Sequence, residues 1–456
     1  MKQILKNLWS QRAQNVWLFA ELVVVCFVAW TQIDPIVVRL FYQNQPAGFD
    51  IDRLVVAEAR LYKTIWQDTH GSRSIEEETY DQMSEKFTQE MKQLKQHLLE
   101  LDEVAYVSFL DGIEGYPRMN KHNWEIPLPN DTIGIDIPWC FFDIEEDFFE
   151  TFGIQPIPGS PSQHELSMNS GGGQNLIITR SLAERIYGSA EAAIGKKLDS
   201  GSTYGDGAGN IYPIIYTIQG VVEDVAARTD EYSTWMAFCP NGRLYLSDYQ
   251  SKARLVIRLK PGVNMTRFVE EQTYRTGELA SEHYVICSFV PYVDAPKNMD
   301  SFDTPDYNAQ SDYDFNLSVA TAIFFLINLC LGVIGTFWMQ TKRRTEESGI
   351  MRAFGATKRR IMGMFLAEGF VLTTLSMLIT CILYLNYVKT GLGELCIPLQ
   401  APQYEPDPTW VADKPLHFCV IAGLVYLIIL IVVSIGIAIP AWNIVRTKVV
   451  EALRDE

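Results

Sequence analysis

Few side chains in this 456-residue chain stand at spacings that do chemistry. The segment Gly188–Lys197 (GSAEAAIGKK) has the glycines and lysines of a phosphate-cradling loop. Its spacing is wrong, and Lys197 stands where a Ser or Thr should be. Glu145-Glu146-Asp147 could gather a cation, but no Gly-turn ligand loop surrounds it, and a solvated acidic face accounts for it better. The six His are scattered, and His164-Glu165 lacks the second His of a zinc-binding helical pair. Neither G-x-S-x-G nor G-x-x-x-x-G-K-[ST] occurs anywhere. No catalytic, cofactor or metal residue is therefore expected, and no enzyme is indicated.

A different kind of chemistry, contact with a partner, is written in Thr341–Ile361 (TKRRTEESGIMRAFGATKRRI). Read as a helix from Glu346, it places Ile350, Met351 and Phe354 on one face, with Arg352 towards the end. Gly355 suits a left-handed helix stop, and Thr357 can cap the helix that follows. Two basic clusters joined by an amphipathic linker would explain the segment as a topology signal alone. The small residues Gly349, Ala353, Gly355 and Ala356 favour more, because they let another protein surface approach closely.

The elements that must position this segment are membrane spans. A bilayer core needs about 20 mostly apolar helical residues. Residues 315–339 carry no charge, 361–387 carry only Glu368, and 416–440 carry none, with Pro440 expected to end the helix. A fourth span, 16–38, contains Glu21 and is interrupted at its far end by Asp34-Pro35. It has the basic start of a signal peptide but no small-x-small cleavage site, so an uncleaved anchor is expected. Lysines and arginines cluster in 1–15, 340–360 and 441–456, which places these pieces and both termini in the cytoplasm. The N-terminal piece, 1–15, reads as amphipathic. Chain from about residue 31 to 314, with 39–314 as a domain, and the short loop 388–415 then lie outside. Glu21 and Glu368 are intramembrane carboxylates, functional candidates by default, although snorkelling or pairing with nearby Arg or Lys explains them equally. Asn328, Gly332 and Gly335 would permit close helix packing in the second span.

Residues 39–314 are too long for a loop and large enough for one or two cores. Ser74–Leu101 reads as a helix with Met83, Phe87, Met91, Leu94 and Leu98 along one stripe. Val104–Leu110, Asn175–Ile178, Ile211–Val222 and Arg254–Leu259 read as strands, and Ser181–Tyr187 as a helix with Ser181 as N-cap and Gly188 as stop. The expected fold is a membrane protein of four transmembrane α-helices with a large, mixed α+β, two-lobed extracytoplasmic domain between the first two. Four cysteines face outward, Cys140, Cys239, Cys287 and Cys396. They allow three pairings, and burial as free thiols is at least as consistent with the sequence. Net charge −17 argues against a nucleic-acid partner, and the acidity belongs almost wholly to the exported domain.

Glu347-Ser-Gly-Ile-Met-Arg-Ala-Phe-Gly-Ala-Thr357 resembles the E-I-G-I-x-R-A-x-G-A-T signature of FtsX-like ABC transporter permeases. Phe365-Leu-Ala-Glu-Gly369 and the tail Pro440–Arg454 are similar to further motifs of that family. Ser181-Leu-Ala-Glu, Tyr187-Gly, Ile194-Gly-Lys-Lys197 and Ile218-Gln-Gly-Val-Val-Glu-Asp224 resemble the MacB-type periplasmic core. Ser348 departs from the family's Ile, and Val449-Val450 from its Asn/Asp-Pro. The resemblance implies that Glu347, Gly349, Ile350, Met351, Arg352, Ala353, Phe354, Gly355 and Ala356 dock a separate ABC ATP-binding subunit, which would carry ATP and magnesium. It implies a homodimer or heterodimer of permeases in the inner membrane lipid, with a periplasmic adaptor and outer-membrane channel as further partners. ATP-driven closure would move the outer domain, a mechanotransmission scheme for export or efflux. A signalling subunit acting on a cell-wall hydrolase and a lipoprotein-releasing permease share most of these features. A membrane-tethered binding protein without an ATPase does not share the coupling segment.

Overall fold

A computed structural model describes residues 12–61, 89–110, 122–127, 134–143, 147–168, 174–205, 211–226, 232, 234–241, 252–277, 279, 284–292, 307–339, 348–391, 395–396 and 405–446. Helix α1 (Arg12–Gln43) comes first, then β1 (Leu54–Leu61), α2 (89–99), β2 (Val104–Leu110), β3 (His122–Ile126) and β4 (Ile135–Asp143). Two short helices, α3 (Phe148–Phe152) and α4 (Gln163–Met168), lead to β5 (Asn175–Thr179), α5 (Arg180–Tyr187) and α6 (Ala190–Ala193). Strands β6 (Lys197–Gly205), β7 (Ile211–Val222), β8 (Ala237–Asn241) and β9 (Lys252–Leu259) follow, with α7 (Met265–Tyr274) and β10 (Tyr284–Pro291). The chain continues through α8 (Tyr307–Met339), α9 (348–353), α10 (Lys358–Lys389) and α11 (Lys414–Arg446). It divides into two compact units, a helical one of residues 1–40, 312–398 and 408–456 and an inserted domain of 41–311 with 399–407.

Within the helical unit, four helices are long and apolar enough to cross a membrane, among the described residues: Val16–Gln43, Phe315–Gly335, Lys358–Lys389 and Lys414–Arg446. Helix α11 buries Ile421, Val425, Ile429, Val433 and Ile437 at four-residue steps, the spacing that keeps side chains on one helical face. They pack with Leu22, Cys26, Leu329, Val333 and Phe365 of the other three helices. Outward stand Ile323, Phe324, Ile327 and Leu331 of α8, the apolar surface a bilayer accepts.

Two prolines do not act as expected. Helix α1 runs through Pro35 to Gln43, and α11 runs through Pro440 to Arg446. A proline removes one helical hydrogen bond, but the turns beyond it bury side chains. Val38 lies beyond Pro35, and Ala441, Ile444 and Val445 lie beyond Pro440, all buried. Packing of those turns outweighs the single lost bond.

The inserted domain is built on two sheets, one of order β10-β1-β9-β2 and one of order β3-β4-β8-β5-β7-β6. The first is antiparallel at every described pairing, and the second mixes both senses, with β4/β8 and β5/β7 parallel. Aromatic residues Phe142, Phe148, Phe149, Phe152 and Phe238 fill a core shared with Leu54, Val56 and Val256 of the first sheet. The first sheet's other face packs against Met91, Leu94 and Leu98 of α2, while Met83 and Phe87 lie outside the described residues. The second sheet's other face takes Leu182, Ala183, Ala190 and Ala193 of α5 and α6.

Three polar ties hold the domain. Nearly buried Arg258 donates to the Thr151 carbonyl and the Asp50 carboxylate, each at 2.8 Å, joining β9 to α3. Helix α5 begins one residue earlier than expected, and the sequence-assigned cap is corrected. Residue Thr179 is the N-cap and makes no side-chain cap bond, while Ser181 donates through N and Oγ to Asp224 Oδ1 at 2.8 and 2.9 Å. Beside it Arg180 pairs with Glu223, which holds the Glu223 carboxyl below its usual range. Gly188 ends α5 in the left-handed conformation, as its position implies. Finally, Glu405 accepts from the backbone N of Thr234 at 2.6 Å, from Trp235 N at 2.8 Å and from the Thr234 hydroxyl. Burial pushes its carboxyl up, and these donors pull against that shift.

Candidate functional site

Helix α9 is only two turns long, and its end is set by backbone hydrogen bonds. Ala356 N donates to Met351 O at 2.9 Å and Gly355 N to Arg352 O at 3.0 Å, the paired bonds of a Schellman stop. Gly355 sits at φ +90°, a conformation that L side chains rarely adopt. Thr357 then caps α10 by accepting from Arg360 N. One polypeptide corner thus joins a short helix to a membrane-length one.

The side chains on α9 separate into two groups. Ile350 is 49% exposed and Phe354 is 89% exposed, with Ala353 and Gly355 exposed beside them. Met351, expected on that same face, instead packs with Ala356 against the helical core. Positions 350 and 354 are four apart and share a face, whereas 351 is turned about 100° away. Ser348 and Gly349 are buried. Arg352 reaches across to the Val445 carbonyl at 3.4 Å, at the end of α11. Glu347 and the tail beyond Arg446 lie outside the described residues.

Of the expected packing residues, only Gly332 makes a close approach to another element within the unit. A Cβ there would meet Glu21 Oε1 at 1.9 Å, so α1 and α8 touch at this pair. Around Gly335 a Cβ would meet nothing within 4 Å, and Asn328 bonds its own helix at the Phe324 carbonyl, 2.8 Å away. Two further glycines, to which the sequence assigns no packing role, also make close approaches. A Cβ on Gly369 would meet Ile437 at 2.2 Å, and one on Gly436 would meet Val333 at 2.9 Å. A lone glycine inside an apolar span is the signal that could have found them. Glu368 is buried in α10 at 5% exposure rather than turned to a surface. Ser376 and Thr380 of α10 donate to the carbonyls of Phe19 and Val23 in α1, at 3.5 and 3.3 Å.

In the inserted domain, two segments set aside on sequence come together. Asp147, Glu150 and His164 bring donor atoms within 4.8 Å of one another. Glu150 takes the Ser167 hydroxyl at 2.6 Å and faces His164 Nδ1 at 3.2 Å, while burial raises the Asp147 carboxyl against the pull of Lys95. Those partners satisfy the group without an ion, and His164 is exposed. Glu145 and Glu146 lie outside the described residues. Cys140 and Cys239 are buried free thiols and Cys396 is a half-buried one, while the side chain of Cys287 is not among those described. Burial pushes the Cys239 thiol up to about 11, away from the reactive thiolate.

No curated protein matches the chain. One solved structure, a domain of a protein assigned as a permease in Porphyromonas gingivalis, shares 15% identity over 53% of this chain and 94% of its own length. At a TM-score of 0.30 that likeness fixes no shared fold. The helical unit is more informative. Residues 319–449 match the family model of the FtsX-like permease C-terminal. That stretch, which resembles an FtsX-like permease C-terminal domain, holds most of α8, all of α9 and α10 with the Gly355–Thr357 corner between them, and α11.

Proposed function

We propose that this chain is the membrane subunit of an ABC transporter, coupled through α9 to a separate ATP-binding subunit. ATP and magnesium would be held by that subunit. The observation that carries the reading is the pair Ile350 and Phe354, large apolar side chains exposed on a rigidly ended helix inside the FtsX-like stretch. Outward-facing apolar anchors beside small residues are what a docking helix presents to a groove. Phe354 resembles the central anchor of such an interface, surrounded by Ala353 and Gly355 where a partner can approach closely.

In this reading α9 and both termini are cytoplasmic and the inserted domain lies outside an inner membrane crossed four times, an orientation that the basic clusters support. With few polar groups between the spans, the helices serve better to transmit motion than to conduct substrate. The inserted domain, with its MacB-like motifs at Ser181 and Asp224, then becomes the moving part in export or envelope transport. A dimer of permeases, with an adaptor and outer-membrane channel, completes the assembly.

Substitution of Phe354 by Ser tests the docking. With 89% of the residue exposed, folding should be unaffected, within about 0.5 kcal/mol as for ordinary surface changes. Co-purification of the ATP-binding subunit should fall at least tenfold, the loss of about 1.4 kcal/mol. Undiminished co-purification would remove α9 from the interface.

A further inference from the structure

Asp34 of α1 and His417 of α11 are 1% and 0% exposed. They meet at 2.8 Å, His417 Nε2 to Asp34 Oδ1. The other ring nitrogen, Nδ1, lies 2.9 Å from the Val411 carbonyl. A carbonyl oxygen has no proton to give, so Nδ1 must carry one. The Asp34 carboxylate takes a further donor, the Cys396 backbone N at 3.2 Å on Oδ2, and the Tyr384 side chain of α10 stands beside it. Two lone pairs at 2.8 Å would repel, so a proton must stand between Oδ1 and Nε2, and the Cys396 N–H on the other oxygen favours a carboxylate with that proton on the ring.

From this geometry we infer that Asp34 and His417 form a buried binding site for one proton, held as an imidazolium–carboxylate pair. The proton joins helices α1, α10 and α11 and both ends of the chain between α10 and α11, at Cys396 and Val411. Without it, the Nε2 lone pair would face a carboxylate with no donor between them. The first turn of α11 disfavours a cation through its dipole, an effect confined to the helix end. Breaking a buried pair from one side leaves an uncompensated charge, which is the larger effect.

The groups facing the pair are known from each of these elements. Tyr384 comes from α10, with Tyr387 behind it at a ring separation of 6.1 Å. The Cys396 thiol faces Asp34, and the Trp410 ring lies 5.3 Å from His417. Trp30, one turn before Asp34, stacks on Tyr384 at 4.5 Å and lies 4.9 Å from Phe418. This aromatic shell surrounds the pair and accounts for its burial.

The sign of the pH dependence follows from proton binding to the folded state. Above about pH 6.5, where a free histidine has released its proton, the folded chain still holds one that the unfolded chain does not. Stability therefore falls as pH rises, until the pair itself lets go.

The test uses the full chain in lipid nanodiscs, with histidine nitrogens labelled and the His417 signal assigned by its loss in H417Q. Both ring nitrogens should remain protonated at pH values where the exposed histidines are neutral. A His417 ring that becomes neutral together with the exposed ones would overturn the inference. Thermal unfolding gives a second reading. In the wild-type chain the unfolding equilibrium should shift by up to tenfold per pH unit, the signature of one proton. D34N keeps an acceptor for Cys396 N and an N–H for the ring, so it should fold and lose that dependence. An equal slope in D34N and wild type would sink the proposal, and the nitrogen spectrum of the wild type decides should D34N not fold.

Discussion

Gly436 shows how one missing methyl sets a helix contact. Its hydrogen faces the branched Val333 side chain of α8, whose Cγ1 and Cβ would lie 2.9 and 3.0 Å from an added Cβ. The Cys330 carbonyl, at 3.4 Å, stands behind. Neither group can move without α8 moving, so Gly436→Ala should destabilise the helical unit by about 1–3 kcal/mol, as overpacking generally does. At Gly332 the obstacle is only the far end of the flexible Glu21 side chain, and the same substitution there should cost less. Gly335→Ala meets open space and should gain about 0.5–1 kcal/mol from helix propensity. Thermal unfolding of the three variants in one detergent checks the order. Equal losses at 335 and 436 would mean that the contacts of Gly436 are not what limits the packing. The sequence marks these glycines only as small residues in apolar runs. Which of them is pressed against a neighbour depends on helix rotation, and that is decided by the whole seam.

At the scale of elements, what was legible is what depends on local periodicity. Strands β2 and β7 fall where their β-rich runs placed them, at Val104–Leu110 and Ile211–Val222. The Gly355 stop and the Thr357 cap follow from residue type, because few residues but glycine accept positive φ and a threonine hydroxyl readily accepts a free N–H. Gly355→Ala should therefore cost about 1–2 kcal/mol in local order without touching Phe354. Faster hydrogen exchange at Gly355 and Ala356 would report it; unchanged exchange would show the stop is not strained. Helix α5 could not be read so simply, since the Ser181 N–H in its first turn is served by Asp224, 43 residues away. Asp224→Ala should loosen α5 by about 0.5–2 kcal/mol, the range of a lost N-cap. Arg180→Ala should do less, because both side chains of its pair with Glu223 are partly exposed and the ion pair is screened. Denaturant unfolding of the two variants separates the contributions, and equal effects would shift the weight to the ion pair. The prolines at 35 and 440 were misread for the reason that hid Asp34. Each is a local interruption overruled by partners far along the chain, and Asp34 meets His417 across 383 positions.

For the whole molecule, the chain between α10 and α11 serves both units. Cys396 and Val411 belong to the helical unit and meet the Asp34–His417 pair, while residues 399–407 are counted with the inserted domain. Within that domain Glu405 satisfies the backbone N–H groups of Thr234 and Trp235, and Tyr42 donates to Asp407 at 2.5 Å. The inserted domain is therefore continuous with the helical chain at α1, at α8 and at this loop. Should the domain move when the helices do, as the proposed transport role requires, the loop is a third place where force can enter it. Glu405→Ala would leave two partly buried N–H groups without their acceptor, at about 1–3 kcal/mol each. Exchange at Thr234 and Trp235 should then rise about ten- to a hundredfold, while exchange in α10 and α11 stays as it was. Acceleration spread through α11 would show that the loop holds the helices together rather than gripping the domain. Equal exchange in variant and wild type would show that Glu405 does not hold these groups.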